Sequence, residues 1–208
     1  MMYATSPGGT GIRPAPGLSA SCPLCVAPMV PKCGGIVVHH WAHRARADCD
    51  PWAERDSAWH RGWQEVVPPD RREVVMGPHR ADVVAADGTV VELQHSPISL
   101  PEIRAREEFY GDSMVWLFDA VEPARSGRLD IRRRRRRDGR RFETFRWRHP
   151  RKSAAACRAQ VLLDLGDGRL LDVKKLYPDA PCGGWGFLVC ASDVRAWLRG
   201  DSSQAGAV

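Results

Sequence analysis

His79-Arg80-Ala81-Asp82-Val83-Val84-Ala85-Ala86-Asp87-Gly88-Thr89-Val90-Val91-Glu92-Leu93-Gln94-His95 is the stretch whose reading decides the fold. Apolar-rich runs flank Asp87-Gly88, a strong hairpin signal. A two-residue turn would pair Ala86 with Thr89 and set Asp82 opposite Leu93. A three-residue loop, Ala86-Asp87-Gly88 with Gly88 left-handed, pairs Ala85 with Thr89 instead. Asp82 then stands opposite Glu92, and Gln94 shares the Glu92 face because side chains alternate along a strand. Two carboxylates so close repel each other. A divalent cation, Mg2+ or Mn2+, removes the conflict, since such ions take one or two carboxylates with waters and phosphate. It would also activate water for phosphodiester cleavage. Gln94 can orient that water or a phosphate oxygen but brings no positive charge. The same residues also fit an ordinary hairpin with polar side chains in water, because Asp followed ten positions on by Glu-x-Gln is a weak pattern.

Upstream, residues 51–67 read as a helix, with Asp50 as N-cap and Pro51 at its first position. Trp52, Trp59, Trp63 and Val66 form an apolar stripe at helical spacing. Asp56, His60 and Gln64 step by four beside it, so Asp56 and His60 can reach one metal or its water. Strands are expected at Glu73 to Met76, Ala81 to Ala86 and Val90 to His95. A helix follows over residues 101–110, with Arg106 and Tyr110 one turn apart. The apolar run Met114 to Asp119 reads as a buried strand. The order is helix, three-strand meander, helix, strand.

The chain has seven cysteines, an odd number, and three of them cluster at Cys22, Cys25 and Cys33 with Cys49 beyond. That pattern argues for a metal in a reducing compartment rather than disulfides. Cys22-Pro23-Leu24-Cys25 is a knuckle that offers two thiolates to a tetrahedral Zn2+. His43 and Cys49 are the favoured other ligands. His40 is the main rival within His40-Trp41-Ala42-His43, and His39 and Cys33 are weaker ones. Such a zinc would be structural, stapling a segment poor in large apolar side chains. Cys33-Gly34-Gly35, flanked by Val30 and Ile36 to Val38, reads as a small hairpin.

Formal charge is +6, and its distribution is uneven. Arg132, Arg133, Arg134, Arg135, Arg136 and Arg137 are consecutive, and further arginines follow with Phe142, Phe145 and Trp147 among them. The plain reading is a solvated basic loop. Even so it would attract a polyanion, nucleic acid above all. Beyond it, Gln160 to Leu165 and Leu170 to Leu176 flank Gly166-Asp167-Gly168 as a second hairpin. Gly186 to Cys190 reads as a strand and Ser192 to Leu198 as a helix capped by Ser192. This tail is either an appendage or an extension of the core sheet. Apolar residues make up 43% of the chain, enough for a core. With no apolar run of signal or membrane length, a soluble cytoplasmic protein is expected.

Several stretches together resemble the competence protein CoiA-like family of the PD-(D/E)XK nuclease superfamily. They are Cys49-Asp50-Pro51-Trp52-Ala53-Glu54, Ser57-Ala58-Trp59-His60-Arg61-Gly62-Trp63, His79-Arg80-Ala81-Asp82-Val83, Val91-Glu92-Leu93-Gln94-His95-Ser96-Pro97-Ile98-Ser99, Arg106-Glu107-Glu108-Phe109-Tyr110 and Met114-Val115-Trp116-Leu117. The resemblance implies an α/β (α+β) restriction-endonuclease-like core, here residues 51–122, preceded by a zinc-ribbon or treble-clef-like module at 21–50. It implies Asp82 and Glu92 as metal ligands, and Gln94 where the superfamily usually carries lysine. Arg106 or Arg80 would then supply the missing charge. Residues 1–20 and 201–208 are expected as disordered tails, 123–152 as the basic segment and 153–200 as a small αβ extension. The expected function is a Mg2+-dependent nuclease on DNA, with Asp82, Glu92, Gln94, Asp56 and His60 in the catalytic centre and Arg80, Arg106 and the arginine run on nucleic acid. The alternative is a nuclease fold that binds nucleic acid without cutting it. An enzyme of another class built on the Cys/His cluster ranks last, since no Gly-rich phosphate loop or Ser-His-Asp arrangement is evident.

Overall fold

In the computed structural model of the chain, the Asp87-Gly88 turn folds as the three-residue loop. Ala85 N donates to Thr89 O (2.8 Å) and Gly88 N to Ala85 O (3.0 Å), with Gly88 at φ 89°. The structure describes residues 1–45, 49–50, 52, 57–148, 152–177 and 182–201. It divides into two compact units, Met1–Val83 and Val84–Val208, in a mixed α and β fold dominated by strands.

The first unit begins with strands where the sequence suggested a disordered tail. β1 (Ala4–Thr5), β2 (Gly11–Ile12), β3 (Ala20–Ser21), β4 (Pro28–Lys32) and β5 (His40–His43) form a sheet in the order β2-β1-β3-β4-β5. The first residues are held by partners far along the chain. The Trp41 indole donates to Ile12 O, Trp41 N donates to Met1 O, and one Glu73 oxygen accepts from Met2 N and Tyr3 N. Ala4, Ala20, Cys22, Met29 and Trp41 make a small core. β4 and β5 do form a hairpin, but its loop is wider than the Cys33-Gly34-Gly35 turn expected, running over residues 33–39 with Ile36 and Val37 exposed.

Helix α1 (Ala58–Gln64) is shorter than the 51–67 expected, and Ser57, not Asp50, caps it by accepting from His60 N. Pro51, Glu54 and Asp56 lie outside the described residues, as do residues 202–208 of the expected second tail. The Asp50 carboxylate instead accepts from Trp52 N, His79 Nδ1 and Arg80 N. The buried face of α1 runs His60, Trp63 and Gln64, with Val67 beyond it. β6 (Arg72–Met76) and β7 (His79–Val84) form an antiparallel hairpin.

The second unit holds β8 (Val90–Gln94), α2 (Leu100–Tyr110), β9 (Met114–Asp119) and α3 (Val121–Arg125). Then come β10 (Leu129–Arg135), β11 (Arg141–Trp147), β12 (Gln160–Asp164), β13 (Arg169–Tyr177), β14 (Gly183–Cys190) and α4 (Ala191–Arg199). Its strands run β10-β11-β14-β13-β12-β9-β8. β8, β9 and β12 are parallel to one another, and α2 makes the crossover from β8 to β9. The segment after residue 153 is therefore an extension of the sheet, not an appendage. Trp116, Phe118, Leu163, Leu171, Phe145 and Trp147 line one sheet face with Ile103 of α2. Gly184 leaves no room for a side chain: a Cβ there would stand 2.0 Å from the Lys175 carbonyl oxygen and 2.8 Å from the Phe145 ring. α4 starts from Cys190 rather than being capped by Ser192, and the Trp197 indole ties it to the Asp87 carboxylate (2.7 Å).

The arginine run is a strand, not a loop. β10 pairs with β11 from Leu129↔Trp147 to Arg135↔Arg141, closed by the Arg136–Arg140 turn. β11 pairs in turn with β14. Those tertiary partners supply what local propensity did not show. Among the described residues, no helix is long and apolar enough to cross a membrane.

Candidate metal centres

Cys22, Cys25, His43 and Cys49 come together in the first unit, with their ligand atoms all within 4.8 Å of one another. Cys22 Sγ and Cys49 Sγ are 3.7 Å apart, and Cys25 Sγ and His43 Nε2 3.3 Å. With Zn–S near ~2.3 Å and tetrahedral angles, two thiolates on one zinc stand about 3.8 Å apart. The four residues therefore fit a metal ion such as zinc. His40 is turned elsewhere, with Nδ1 2.8 Å from Val38 O. The knuckle follows from its turn: Val26 N donates to Cys22 O and Cys22 N to Ala27 O. Val26 sits at φ 60°, a costly conformation for a β-branched residue. Burial pushes the Cys49 thiol up to about 12, and Cys22 and Cys25 add to the shift. An Ala27 backbone hydrogen bond lowers Cys25. The Cys49 thiol thus resists ionisation, and a bound dication reverses that resistance.

The acidic candidates fall in both units. In the first, His60 Nε2 lies 3.1 Å from Asp82 Oδ1. Gln64, one turn further along α1, is fully buried, and neither its Oε1 nor its Nε2 has a hydrogen-bond partner among the described residues. Leaving such a group unmet costs about 1–3 kcal/mol. Arg80 does not face outward to nucleic acid as expected. It is buried, with Nη2 3.5 Å from Glu73 Oε1. Burial alone would lower its pKa, but Glu73, Asp82 and Asp50 outweigh that and raise it.

In the second unit, Glu92 and Gln94 point to the α2 side of the sheet, opposite Trp116 and Phe118. Arg106 Nη1 lies 2.5 Å from Glu92 Oε2 and Nη2 lies 2.6 Å from Glu102 Oε1, with the guanidinium near the Trp116 ring. Arg106 thus meets the Glu92 carboxylate and is too buried to reach a phosphate backbone. The buried Gln94 donates from Nε2 to Ser96 O (2.7 Å). Asp56 lies outside the described residues. No family profile, curated protein or solved structure matches the chain.

Sequence reasoning missed another imidazole–carboxylate pair, His95 Nδ1 to Asp119 Oδ2 at 2.7 Å. It arises because parallel β8 and β9 end side by side, which no local pattern announces. The Arg106–Glu92 pair gives a direct prediction. Arg106→Met leaves a carboxylate uncompensated at 2% exposure and should cost about 3–5 kcal/mol. Adding Glu92→Gln should restore most of that in urea melts. Equal losses in the single and double variants would show that the pair carries no such coupling.

Proposed function

We propose that this chain is a metal-dependent nuclease acting on DNA, with one structural zinc closing its N-terminal module at Cys22, Cys25, His43 and Cys49. The observation that carries the nuclease reading is the His60–Asp82 pair beside the unpartnered Gln64 amide. A buried amide with both ends unmet suits a site that a water or phosphate oxygen completes. The Ala85–Thr89 turn supports the same reading, since it is the three-residue loop that the sequence reading of this site requires. In this proposal Asp82 and Glu92 hold Mg2+. Bound Mg2+ supplies an activated water and neutralises charge on the phosphate. His60 fixes the orientation of the Asp82 carboxylate. Gln64 offers an N–H and a carbonyl to water or phosphate. Arg106 supplies, through Glu92, the positive charge a superfamily lysine would bring.

A second reading, a nuclease fold that only binds nucleic acid, is favoured by one observation: Arg106 already occupies Glu92 Oε2. Metal binding separates the two. The zinc-loaded protein titrated with Mn2+ and followed by electron paramagnetic resonance should bind one Mn2+ per chain. Asp82→Asn and Glu92→Gln should each weaken that binding at least tenfold while leaving zinc content unchanged. No Mn2+ uptake by the wild type would leave the binding-only reading.

A further inference from the structure

Because the arginine run is a strand, its side chains divide between two faces. Ile131 and Phe145 turn to the core side, and by alternation Arg133, Arg135, Arg141 and the buried Glu143 share it. The other face carries Asp130, Arg132, Arg134, Phe142, Thr144 and Arg146, with Arg132 Nε donating to Asp130 Oδ2 (2.9 Å). The register sets Arg134 opposite Phe142, Arg132 opposite Thr144 and Thr144 opposite Trp185. Trp185 pairs onward with the exposed Lys175.

Three half-buried rings lie in a row across this face. Phe142 and Trp185 have centroids 6.2 Å apart, Trp185 and Phe187 5.8 Å, and both pairs meet edge to face. Arg132, Arg134 and Arg146 beside them are exposed. Aromatic rings bordered by guanidinium groups on an open sheet face match one ligand chemistry: unpaired bases that stack while their phosphates are neutralised. A duplex hides its base faces and could use only the charge.

We propose that the Phe142–Trp185–Phe187 face, flanked by Arg132, Arg134 and Arg146, binds single-stranded DNA by base stacking. The choice of DNA rests on the nuclease reading; the preference for a single strand rests on the rings.

The test is fluorescence anisotropy of the zinc-loaded full chain with a labelled oligonucleotide, magnesium omitted so that cleavage plays no part. A single strand should bind at least tenfold tighter than the duplex of the same sequence. Phe142→Leu and Trp185→Ala should each weaken single-strand binding roughly 10- to 100-fold, with the salt slope unchanged. Arg132→Gln with Arg134→Gln should reduce that slope by about 1.4. The charge-matched control, Arg135→Gln with Arg141→Gln on the opposite face, should reduce it by less than half as much. Thermal melts check folding of each variant, and Phe142→Leu keeps an apolar side chain should Trp185→Ala fail to fold. Equal affinity for single strand and duplex, or equal effects of the two arginine pairs, would overturn the proposal. Tighter binding of an RNA oligonucleotide of the same sequence would overturn the choice of DNA. None of these outcomes depends on cleavage, so the nuclease reading can fail separately.

Discussion

Stripping zinc from this chain is expected to unfold the sheet of its first 45 residues. The apolar core there is small, built from Ala4, Ala20, Cys22, Met29 and Trp41. Structural zinc contributes on the order of 10–16 kcal/mol in small finger domains, far more than such a core can replace. The strained Val26 turn (φ 60°) persists only while its surroundings impose it. Without metal, the half-buried Cys49 thiol stays protonated at neutral pH, its pKa pushed to about 12 by desolvation and by Cys22 and Cys25. Elemental analysis should find one zinc per chain. Cys22→Ser and Cys49→Ser should lose it and show fast amide exchange across β1 to β5. Cys33→Ser, outside the cluster, should keep both zinc and protection. Full protection after zinc removal would show that the metal is not structural.

The four residues of that cluster were legible because Cys22 and Cys25 share one knuckle, with His43 on a hairpin strand and Cys49 shortly beyond it. The Gly88 turn was legible for a similar reason: its requirement for positive φ is written in three residues. Met114–Asp119 was equally plain, since a strand buried on both faces reads as an unbroken apolar run. The early strands were hidden because each is two residues long and depends on remote groups, such as the Trp41 indole and the Glu73 carboxylate. The arginine strand was hidden because its order comes from β14, well downstream. Arg106 reads in the sequence as a nucleic-acid contact or as the missing charge of the centre. Only the placement of Glu92 on the parallel strand beside Trp116 shows why it is buried. The interrupted reading of α1 has a local cause: Ser57 offers a better cap than Asp50, whose carboxylate is held by Arg80 N and His79.

Asp82→Ala is expected to remove DNA cleavage, by at least about 10³-fold, or roughly 4 kcal/mol of barrier. The reading places Asp82 against both the cation and His60, so the variant loses a metal ligand together with the group His60 orients. His60→Ala leaves the carboxylate in place and should cost less, with the apparent Mg2+ requirement shifted upward. Gln64→Leu should also impair cleavage while raising stability, since it removes two unmet polar atoms from a fully buried position. That opposition between stability and activity would mark Gln64 as kept for the reaction rather than for the fold.

We propose that this chain cuts DNA with a divalent cation held by Asp82 and Glu92. The most direct test is incubation of the zinc-loaded protein with plasmid and with linear single-stranded DNA. Mg2+, Mn2+ or no added cation would be present, with wild type and a folded Asp82→Ala run side by side. The wild type is expected to cleave only when Mg2+ or Mn2+ is added, and the variant not at all. Cleavage that survives Asp82→Ala, or DNA bound but never cut under any cation, would contradict the proposal.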